Sequence, residues 1–332
     1  MWVILIPRQL YFRGRVILTF IVRPEHEGMT VLQIIKQHIG LSGGMIRHIK
    51  FLEDGILLNS ERVTVRRAVS AGDVLELKVE DSGEGSAIEG VDLPLPIAYE
   101  DDDLVVPDKP PYMPTHPSHG HYDDTVANAL AFRYRNTGVP YVFRPINRLD
   151  RNTSGLLIIA RNRISAARLS RGMLEQKIQK KYIAILDGRL ENKEGIIETY
   201  MRRTAESIIV REVCGAEEGA DYALTRYCVL LESDKHTVVS AEPVTGRTHQ
   251  LRVHFASLGC PIVGDDIYGH VSEYIGRHAL HASDISFVHP STGERIELSA
   301  PLHDDMAFLL KKLFSQEELE NEVFEKILWG KG

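Results

Sequence analysis

The sequence predicts an α+β fold: a mixed, largely antiparallel central sheet with flanking helices, preceded by a small αβ module. Short apolar runs bounded by turn residues follow one another with few helices between them, which favours antiparallel pairing over a doubly wound parallel sheet. The stretch 81–96 is rich in Gly, Ser, Pro and acidic residues, so it predicts a linker between two parts. The length of 332 residues also exceeds the roughly 100–200 residues of a typical domain.

Residues 1–80 are predicted to form the small αβ module. Thr30 is a suitable N-cap for a helix over 30–39, because apolar residues within that stretch recur at helical spacing. Gly40 then ends the helix. The module's strands are predicted at 15–22, 56–59 and 74–79.

The larger part is predicted at 97–303, followed by an amphipathic helical extension at 304–332. Residues 156–160 (LLIIA) are an apolar run bounded by turn residues, which suits a strand buried on both faces. Further strands are predicted at 103–106, 182–187, 196–200, 207–211, 223–230 and 237–242. Helices are predicted at 125–133, 166–173 and 249–258.

The cysteines and the amino terminus bear on where the protein works. Cys214, Cys228 and Cys260 stand far apart and form no CxxC pair, which argues against a disulfide framework or a zinc knuckle and fits a reducing compartment. The apolar start of the chain is interrupted by arginines from Arg8 onward, before it could serve as a signal segment or span a bilayer. We therefore predict a cytoplasmic protein with no membrane partner.

The charge is unevenly distributed along the chain. The net charge of −7 alone speaks against a nucleic-acid partner. However, residues 131–183 contain 12 Lys and Arg but only two acidic residues, Asp150 and Glu175, which gives +10 there and leaves −17 for the rest. Such segregation can form a positive face that attracts a polyanion. A basic helix that is simply solvated explains the count equally well, and charge alone favours neither interpretation.

The most informative stretch is 144–162, RPINRLDRNTSGLLIIARN. A lone aspartate, Asp150, stands among Arg144, Arg148 and Arg151 where a loop leads into the apolar strand. Nearby cations would hold such a carboxylate ionised, so that it could act as a nucleophile or a base. On composition alone, an aspartate that caps a turn or pairs with an arginine is the more frequent explanation.

Several short motifs follow one another along the second part of the chain. Residues 148–156 read RLDRNTSGL, and further motifs stand at 180–184 (KKYIA), 245–254 (TGRTHQLRVH), 259–265 (GCPIVGD) and 280–282 (LHA). In type, order and spacing they resemble the motifs of the RluA-type family of RNA pseudouridine synthases, and the resemblance covers about residues 95–303. The family's first motif has His where this chain has Asn147, which puts substrate choice and that histidine's hydrogen bond in question.

This resemblance implies an isomerisation that needs no cofactor and no metal. The bond from ribose C1′ to uracil N1 breaks, and C1′ joins C5 of the same base. Asp150 would attack C1′ or remove a sugar proton, and the sequence leaves both routes open. Tyr182 would stack on the uracil and take part in proton transfer at C5, while Arg252 would pair with Asp150 and hold it charged. Without the family motifs, Tyr182 would be interpreted as a core aromatic residue and Arg252 as a surface helix cation.

The target base must leave its stack, so the resemblance also implies a set of RNA contacts. Arg148 matches the arginine that inserts into the RNA stack in this family, and the basic segment 131–183 could supply a cationic platform. The other predicted RNA-binding residues of the larger part are Arg151, Arg247, His249 and His116. The implied partner is structured RNA, either ribosomal or transfer RNA, and the implied enzyme works as a monomer.

Short matches in the amino-terminal module, at 41–42 (LS), 56–59 (ILLN) and 71–74 (AGDV), resemble an S4-type RNA-binding domain. Many family members carry such a domain ahead of the catalytic part. The resemblance implies RNA contacts from Arg47 and Lys50. An αβ packing module with incidental arginines is the alternative interpretation.

Other functions fit parts of the sequence. His116, His119 and His121 could suggest a metalloenzyme, but they fall in a loop with Pro and Gly and have no nearby Cys or HExxH helix. A serine hydrolase is disfavoured, because Ser154 lacks the GxSxG elbow and precedes a strand. The main alternative is a catalytically idle RNA-binding protein of the same fold, which would have no need to keep all three catalytic candidates.

Overall fold

The computed structural model of the chain describes residues 8–12, 15–41, 43–80, 88–137, 141–207 and 209–319. Parts of three predicted segments lie outside the described residues, namely 1–7 of the amino-terminal module, 81–87 of the linker and 320–332 of the carboxy-terminal extension. The strands of the described residues form two sheets, one of five strands and one of twelve.

The smaller sheet is antiparallel throughout. Its strands are β1 (Arg8–Phe12), β2 (Arg15–Ile21), β3 (Ile56–Leu58), β4 (Glu61–Arg62) and β5 (Val74–Glu80), in the order β1-β2-β5-β3-β4. Helix α1 (Val31–Ile34) begins at Thr30, whose hydroxyl accepts the Gln33 amide. The helix continues as a π-helical segment, Ile35–Ile39, and Gly40 ends it with a φ of 80°. Helix α2 (Gly43–Ile49) follows, and both helices pack on the sheet through buried apolar side chains.

The larger sheet is mixed. Its strands are β6 (Ile97–Glu100), β7 (Leu104–Lys109), β8 (Arg144–Pro145), β9 (Ser154–Leu156), β10 (Ile159–Ala160), β11 (Gln179–Asp187), β12 (Glu194–Arg203), β13 (Arg211–Cys214), β14 (Asp221–Glu232), β15 (His236–Pro243), β16 (Leu280–Val288) and β17 (Arg295–Ser299). The order is β13-β12-β14-β15-β11-β16-β9-β7-β10-β8, with β17 on β16 and β6 on β7. Only β9 and β16 pair in parallel among these described strands. The predicted fold class, α+β with a largely antiparallel mixed sheet, is therefore confirmed.

Five helices of the described residues accompany this sheet. They are α3 (Val126–Tyr134), α4 (Arg163–Leu174), α5 (Gln250–Ser257), α6 (Asp304–Leu313) and α7 (Gln316–Leu319). Thr125 and Asn162 cap α3 and α4 by accepting backbone amides with their side-chain oxygens. Helix α5 packs against β13, β14 and β15, and all its residues but the last two are buried. None of the helices in the described part of the chain is long and apolar enough to cross a membrane.

The structure corrects two element predictions. Residues 156–160 are fully buried as predicted, but the strand is interrupted between β9 and β10, opposite Pro107 of β7. Proline has no N–H to donate, so one ladder bond is lost there although the register continues. The strand predicted at 207–211 is wrong for its described residues, because the hydroxyl of Ser207 accepts the amides of Ile209 and Val210, and β13 begins only at Arg211; residue 208 lies outside the described residues.

Candidate active site

A cleft opens to solvent where the turn before β9, the first half of β11 and the start of α5 meet. Its volume is about 500 Å³, including the space at its mouth that is open to solvent. Asp150, Tyr182 and Arg252 all line it. The three predicted catalytic residues belong to separate elements and lie up to 102 positions apart in the sequence. The structure brings them together in this cleft.

A tight turn places Asp150 shortly before the start of β9. The carbonyl of Asp150 accepts the amide of Thr153 at 3.0 Å. Two residues later Gly155 has a φ of 109°, and a Cβ at this position would lie 2.3 Å from the carbonyl oxygen of Ala282 on β16. Only glycine allows this approach, so the Thr-Ser-Gly part of the motif places the aspartate turn directly against the sheet.

A buried lysine also ties this turn to the sheet. Lys109, at the end of β7, is fully buried, and its Nζ donates to the carbonyls of Pro110 at 2.9 Å, Met113 at 2.8 Å and Arg151 at 3.0 Å. Burial lowers the pKa of Lys109 to about 7. Since three carbonyls match the three donors of an ammonium group, Lys109 links two loops at the residue next to Asp150.

Arg252 is held by a carboxylate that lies deeper in the protein than Asp150. Its Nε and Nη2 donate to the two oxygens of Asp265, each at 2.7 Å. The arginine side chain is 4% exposed and that of Asp265 is fully buried. Burial opposes the charge on the guanidinium, but the hydrogen bonds to Asp265 outweigh it and raise the pKa of Arg252. Burial likewise opposes ionisation of Asp265, and Arg252 still lowers the pKa of this carboxyl group. The pair is therefore charged.

Asp150 has two nitrogen neighbours. Nη1 of Arg252 and Nε2 of His249 each lie 3.8 Å from its Oδ2. The Asp150 side chain is 30% exposed, so a ligand in the cleft can reach it. The predicted contact between Arg252 and Asp150 is present, but its distance of 3.8 Å is longer than a hydrogen bond. The close partner of Arg252 is Asp265, at 2.7 Å.

Tyr182 forms part of the cleft wall on β11. It pairs with Ala241 of β15, and on its other side the register with β16 shifts between Lys181 and Ile183. Such irregularities re-aim side chains and are frequent beside active sites. Burial, with a smaller contribution from Asp150, raises the pKa of Tyr182, so the phenol is neutral at ordinary pH. Among the described residues its hydroxyl has no hydrogen-bond partner, which leaves it available to a ligand.

Comparison with known proteins identifies the family. Residues 103–257 match the family model described as RNA pseudouridylate synthase. The uncharacterized RNA pseudouridine synthase YjbO of Bacillus subtilis (strain 168) is 36% identical over 273 residues, which cover 82% of this chain and 95% of that protein. The chain belongs to the RluA-type family of RNA pseudouridine synthases. The ribosomal large subunit pseudouridine synthase D of Vibrio cholerae is 35% identical over 270 residues, covering 77% of this synthase and 82% of that protein.

A solved structure agrees with this assignment. The human RNA pseudouridylate synthase domain containing 1 matches with a TM-score of 0.54 and 31% sequence identity, over 64% of this chain and 85% of that chain. The resemblance that the sequence motifs predicted is therefore confirmed, and the protein is an isomerase that acts on uridine in RNA. The likeness of residues 1–80 to an S4 domain and the linker at 81–96 remain predictions.

Of the predicted RNA contacts of the larger part, Arg148, Arg247 and His249 line the cleft, whereas Arg151 and His116 do not. Arg148 and Arg247 are exposed and line it. Burial and the positive charge of Arg148 lower the pKa of His116. Arg247 already has an ion-pair partner, because its Nη1 lies 3.1 Å from a carboxylate oxygen of Asp221. Arg151 is exposed, and its Nε donates to a backbone carbonyl at 3.3 Å.

Arg47 and Lys50 lie elsewhere, at the end of α2 in the smaller module. Both are exposed, and neither lines the cleft. Within the described ranges neither has an ion-pair partner, so both charges are available to a polyanion. Their contact with RNA remains a prediction.

The basic segment 131–183 is not one free positive surface. Several of its cations are bound by groups of the protein itself: Arg133 by Glu100 at 2.5 Å, Arg171 and Lys177 by Glu175 at 2.7 and 2.6 Å, Arg168 by the carbonyl of Pro290 at 2.7 Å, and Arg161 by the carbonyl of Asp101. The charge count therefore overstated the platform available to RNA. The cations of this segment that line the cleft are Arg148 and Lys180.

Asn147, which replaces the family's usual histidine, has a structural contact. Its Oδ1 accepts the amide of Ile158 at 2.8 Å, and the residue is buried. Its Nδ2 has no hydrogen-bond partner within the part of the chain that the structure describes. Asn147 does not line the cleft, so this departure from the family pattern lies behind the aspartate turn rather than against the substrate.

Two groups of side chains outside the cleft have the composition of metal ligands, namely Asp108, His281 and His303, and Asp101, Asp103 and His289. In the second group His289 is held by Asp101 at 2.7 Å. In the first, both ring nitrogens of His281 are engaged, Nδ1 with the hydroxyl of Ser154 at 2.9 Å and Nε2 with the carbonyl of Ala300 at 3.3 Å. Because internal contacts occupy the imidazoles of His281 and His289, we assign a metal to neither group.

Three important residues were missed by sequence reasoning. Asp265 was quoted only as the last residue of a motif, and Lys109 and Tyr268 were not singled out. Tyr268 lies under Arg252, with the guanidinium carbon 5.0 Å from the ring centroid. For Asp265 the motif itself was a usable signal, because an acidic residue that ends an apolar stretch needs a cationic partner if it is buried. For Tyr268 the sequence offers no comparable signal.

Proposed function

We propose that Asp150 is the catalytic carboxylate with which this synthase isomerises uridine, and that Arg252 and Tyr182 assist it. The observation that supports this is the meeting of the three side chains at one solvent-open cleft, with Nη1 of Arg252 3.8 Å from Asp150. A guanidinium that remains charged favours the ionised form of a nearby carboxylate. An ionised Asp150 can then attack ribose C1′ or remove a sugar proton.

Both routes lead to the same balanced reaction. The C1′–N1 bond breaks, and its electron pair leaves with the uracil, which stays in the cleft and turns. C5 of the base then bonds to C1′, and the proton on C5 is released while N1 ends with a proton. Tyr182 lies in the wall of the cleft, where its ring can stack on the turned base and its hydroxyl can take part in transfer of the C5 proton.

Access to the reacting atoms requires the uridine to leave its stack, at a cost of a few kcal/mol. We propose that Arg148, exposed at the edge of the cleft, takes the place of the extruded base. His116, Arg151 and Arg247 would contact the surrounding RNA. Arg47 and Lys50 would extend the contact to the smaller module as part of an S4-like domain.

The substrate we propose is a structured ribosomal or transfer RNA. The name of the Vibrio cholerae relative, a ribosomal large subunit synthase, supports ribosomal RNA. We further propose a monomer that works in the cytoplasm without a cofactor. The three cysteines are free thiols in the structure, which fits a reducing compartment. Mapping pseudouridines in cellular RNA with and without the gene would name the target.

The deciding experiment replaces Asp150 by asparagine, which keeps the size of the side chain and removes its charge. Asp150→Asn should lower pseudouridine formation by roughly 10³-fold or more, since neither nucleophilic attack nor proton removal survives. Affinity for the RNA should stay within about threefold, because cations carry most of the binding. Pseudouridine is measured on the transcript identified by mapping, and affinity by a filter or gel assay.

Asp234→Asn is the matched control, because Asp234 is an exposed aspartate that does not line the cleft. This variant should form pseudouridine at the wild-type rate. A purified Asp150→Asn protein with wild-type turnover would refute the catalytic assignment. A wild-type protein that binds the RNA but forms no pseudouridine would instead favour the idle RNA-binding protein.

A further inference from the structure

His249 lies closer to the carboxylate of Asp150 than a residue that only contacts RNA needs to. It is the N-cap residue of α5 and adopts a left-handed backbone conformation with a φ of 58°. This conformation turns the chain so that Nε2 lies 3.8 Å from Oδ2 of Asp150. The side chain is only 10% exposed, which leaves little of the ring available to a phosphate.

The opposite side of the ring is held by Tyr268. Nδ1 of His249 lies 2.8 Å from the Tyr268 hydroxyl, and the rings meet edge to face with centroids 5.6 Å apart. The same hydroxyl accepts the backbone N–H of Arg211 at 2.9 Å. Because the amide N–H only donates, the hydroxyl still has its own proton to donate to Nδ1 of His249.

This arrangement decides which nitrogen of His249 carries the proton. Burial lowers the pKa of His249 although Asp150 opposes the shift, so the ring is neutral at ordinary pH. A neutral imidazole carries a single proton, and Nδ1 is already an acceptor. The geometry favours the tautomer with the proton on Nε2, where it faces the carboxylate of Asp150. The other charged groups around the ring are Arg252, Asp265 and Arg211.

We propose that His249 and Tyr268 are positioning residues for the catalytic carboxylate. Tyr268 selects the tautomer of His249, and the Nε2–H of His249 and the guanidinium of Arg252 hold Oδ2 of Asp150 from two sides. The inference rests on the proposed function, because it requires Asp150 to be the reacting carboxylate. The distance of 3.8 Å exceeds a hydrogen bond, which spans roughly 2.7–3.2 Å, and catalytic contacts of this kind shorten when substrate closes the site.

Two substitutions of His249 separate this role from others. The amide nitrogen of glutamine can take the position of Nε2, whereas asparagine reaches only the position of Nδ1. His249→Gln should therefore retain most of kcat, and His249→Asn should lower kcat by roughly tenfold through loss of one hydrogen bond to a charged group. Asparagine tolerates the left-handed backbone well, so His249→Asn should still fold. KM for RNA and its salt dependence should change by less than about twofold in both variants.

Tyr268→Phe tests the tautomer directly, because it removes only the hydroxyl. Nδ1 then has no fixed donor, and kcat should fall by roughly three- to tenfold. In the His249→Gln background the same substitution should have no further effect, because glutamine has no tautomer to select. Full additivity of the two substitutions would overturn the role given to Tyr268.

His270→Asn is the matched control, since His270 is exposed and outside the cleft lining, and it should behave as wild type. Equal loss of kcat in His249→Gln and His249→Asn would overturn the proposal. So would a loss confined to KM and the salt dependence, which is the signature of an RNA contact. An active Asp150→Asn protein would refute the proposed function. An inactive Asp150→Asn protein together with a fully active His249→Asn protein would refute only the present inference.

Discussion

Arg252 shows how a single residue can be held charged inside the protein beside a reaction centre. With only 4% of its side chain exposed, the guanidinium would be unstable without a compensating charge. Asp265 supplies that charge through two hydrogen bonds of 2.7 Å, so Asp150 need not do so. Asp150 consequently keeps its oxygens free for the substrate, while the positive charge of Arg252 still lies near it.

Asp265→Asn should destabilise the protein strongly. The substitution leaves a buried guanidinium without its carboxylate, which costs about 3–5 kcal/mol in free energy of unfolding. Urea unfolding of the purified variant measures the loss. Asp266→Asn is the control, because Asp266 is 64% exposed and 3.9 Å from Arg252, and it should change stability by no more than about 0.5 kcal/mol. Similar unfolding midpoints for the two variants would contradict this account of Arg252.

Arg148→Ala should impair extrusion of the target base rather than the chemistry that follows. On a transcript whose target uridine is paired, turnover should fall by roughly 10- to 100-fold. A loss of this size corresponds to part of the free energy, a few kcal/mol, that extrusion of the base costs. On a transcript whose target is already unpaired, turnover should recover to near the wild-type rate. Arg226→Ala, at an exposed arginine away from the cleft, should be neutral on both. Equal losses on the two transcripts would argue against a role in base extrusion.

At the residue scale, the family motifs identified Asp150, Tyr182 and Arg252 as catalytic candidates. The local sequence around each residue, taken without the family, did not. An aspartate beside arginines and a tyrosine in an apolar strand are both common in structural roles. The partner of Arg252 could not be predicted, because Asp265 is reached only after α5 ends and the chain folds back. Hydrogen-bond chains such as Arg211, Tyr268 and His249 likewise exist only in three dimensions.

At the scale of elements, the parallel contact between β9 and β16 places the aspartate turn. β9 is short and wholly buried, and its pairing with β16 is the only parallel pairing among the described strands of this sheet. Gly155 lies in this contact with a φ of 109°, so the backbones approach where no side chain would fit. The position of Asp150 therefore depends on a glycine five residues further along the chain.

Gly155→Ala should destabilise this contact and reduce activity together. The new Cβ would lie 2.3 Å from the carbonyl oxygen of Ala282, and alanine disfavours the positive φ. We expect a loss of about 2 kcal/mol or more in free energy of unfolding, with lower kcat because the turn shifts. Thermal unfolding and turnover of the variant measure both effects. Gly215→Ala, at a glycine with no atom within 4 Å of the added methyl group, should leave both unchanged.

Element prediction was most successful where the apolar pattern was long. The helix of the smaller module and most strands of the larger sheet were predicted near their observed positions. The prediction at 207–211 was wrong because the side-chain hydrogen bonds of Ser207 compete with a strand of similar composition. Strands β16 and β17 and helix α2 were not predicted, although polar and apolar residues alternate over part of β16. Its polar side chains are satisfied by tertiary hydrogen bonds, such as that of His281 with Ser154.

At the scale of the whole molecule, the larger part buries several neutral histidines. Burial lowers the pKa of His254 to about 4 and that of His281 to about 4. His254 is placed between the hydroxyls of Thr225 at 2.9 Å and Thr199 at 3.0 Å, and no carboxylate is among the causes of its shift. A histidine buried in this way makes the fold depend on pH.

Acid should therefore destabilise the protein well before the carboxylates titrate. Below pH 6.5 these histidines bind protons in the unfolded chain but not in the folded one, so stability is complete above about pH 6.5 and falls as the pH falls towards about 4. Each histidine contributes a slope of up to about 1.4 kcal/mol per pH unit.

Urea unfolding at intervals between pH 7.5 and 5.0 measures this slope. Over this range Asp265 and Asp305, whose pKa values are lowered, remain ionised. His254→Gln should make the pH dependence shallower even if it lowers stability throughout, whereas His270→Asn, at an exposed histidine, should leave the slope unchanged. A constant unfolding midpoint across this range would show that these imidazoles are hydrated, and the buried hydrogen bonds assigned to them would then have to be abandoned.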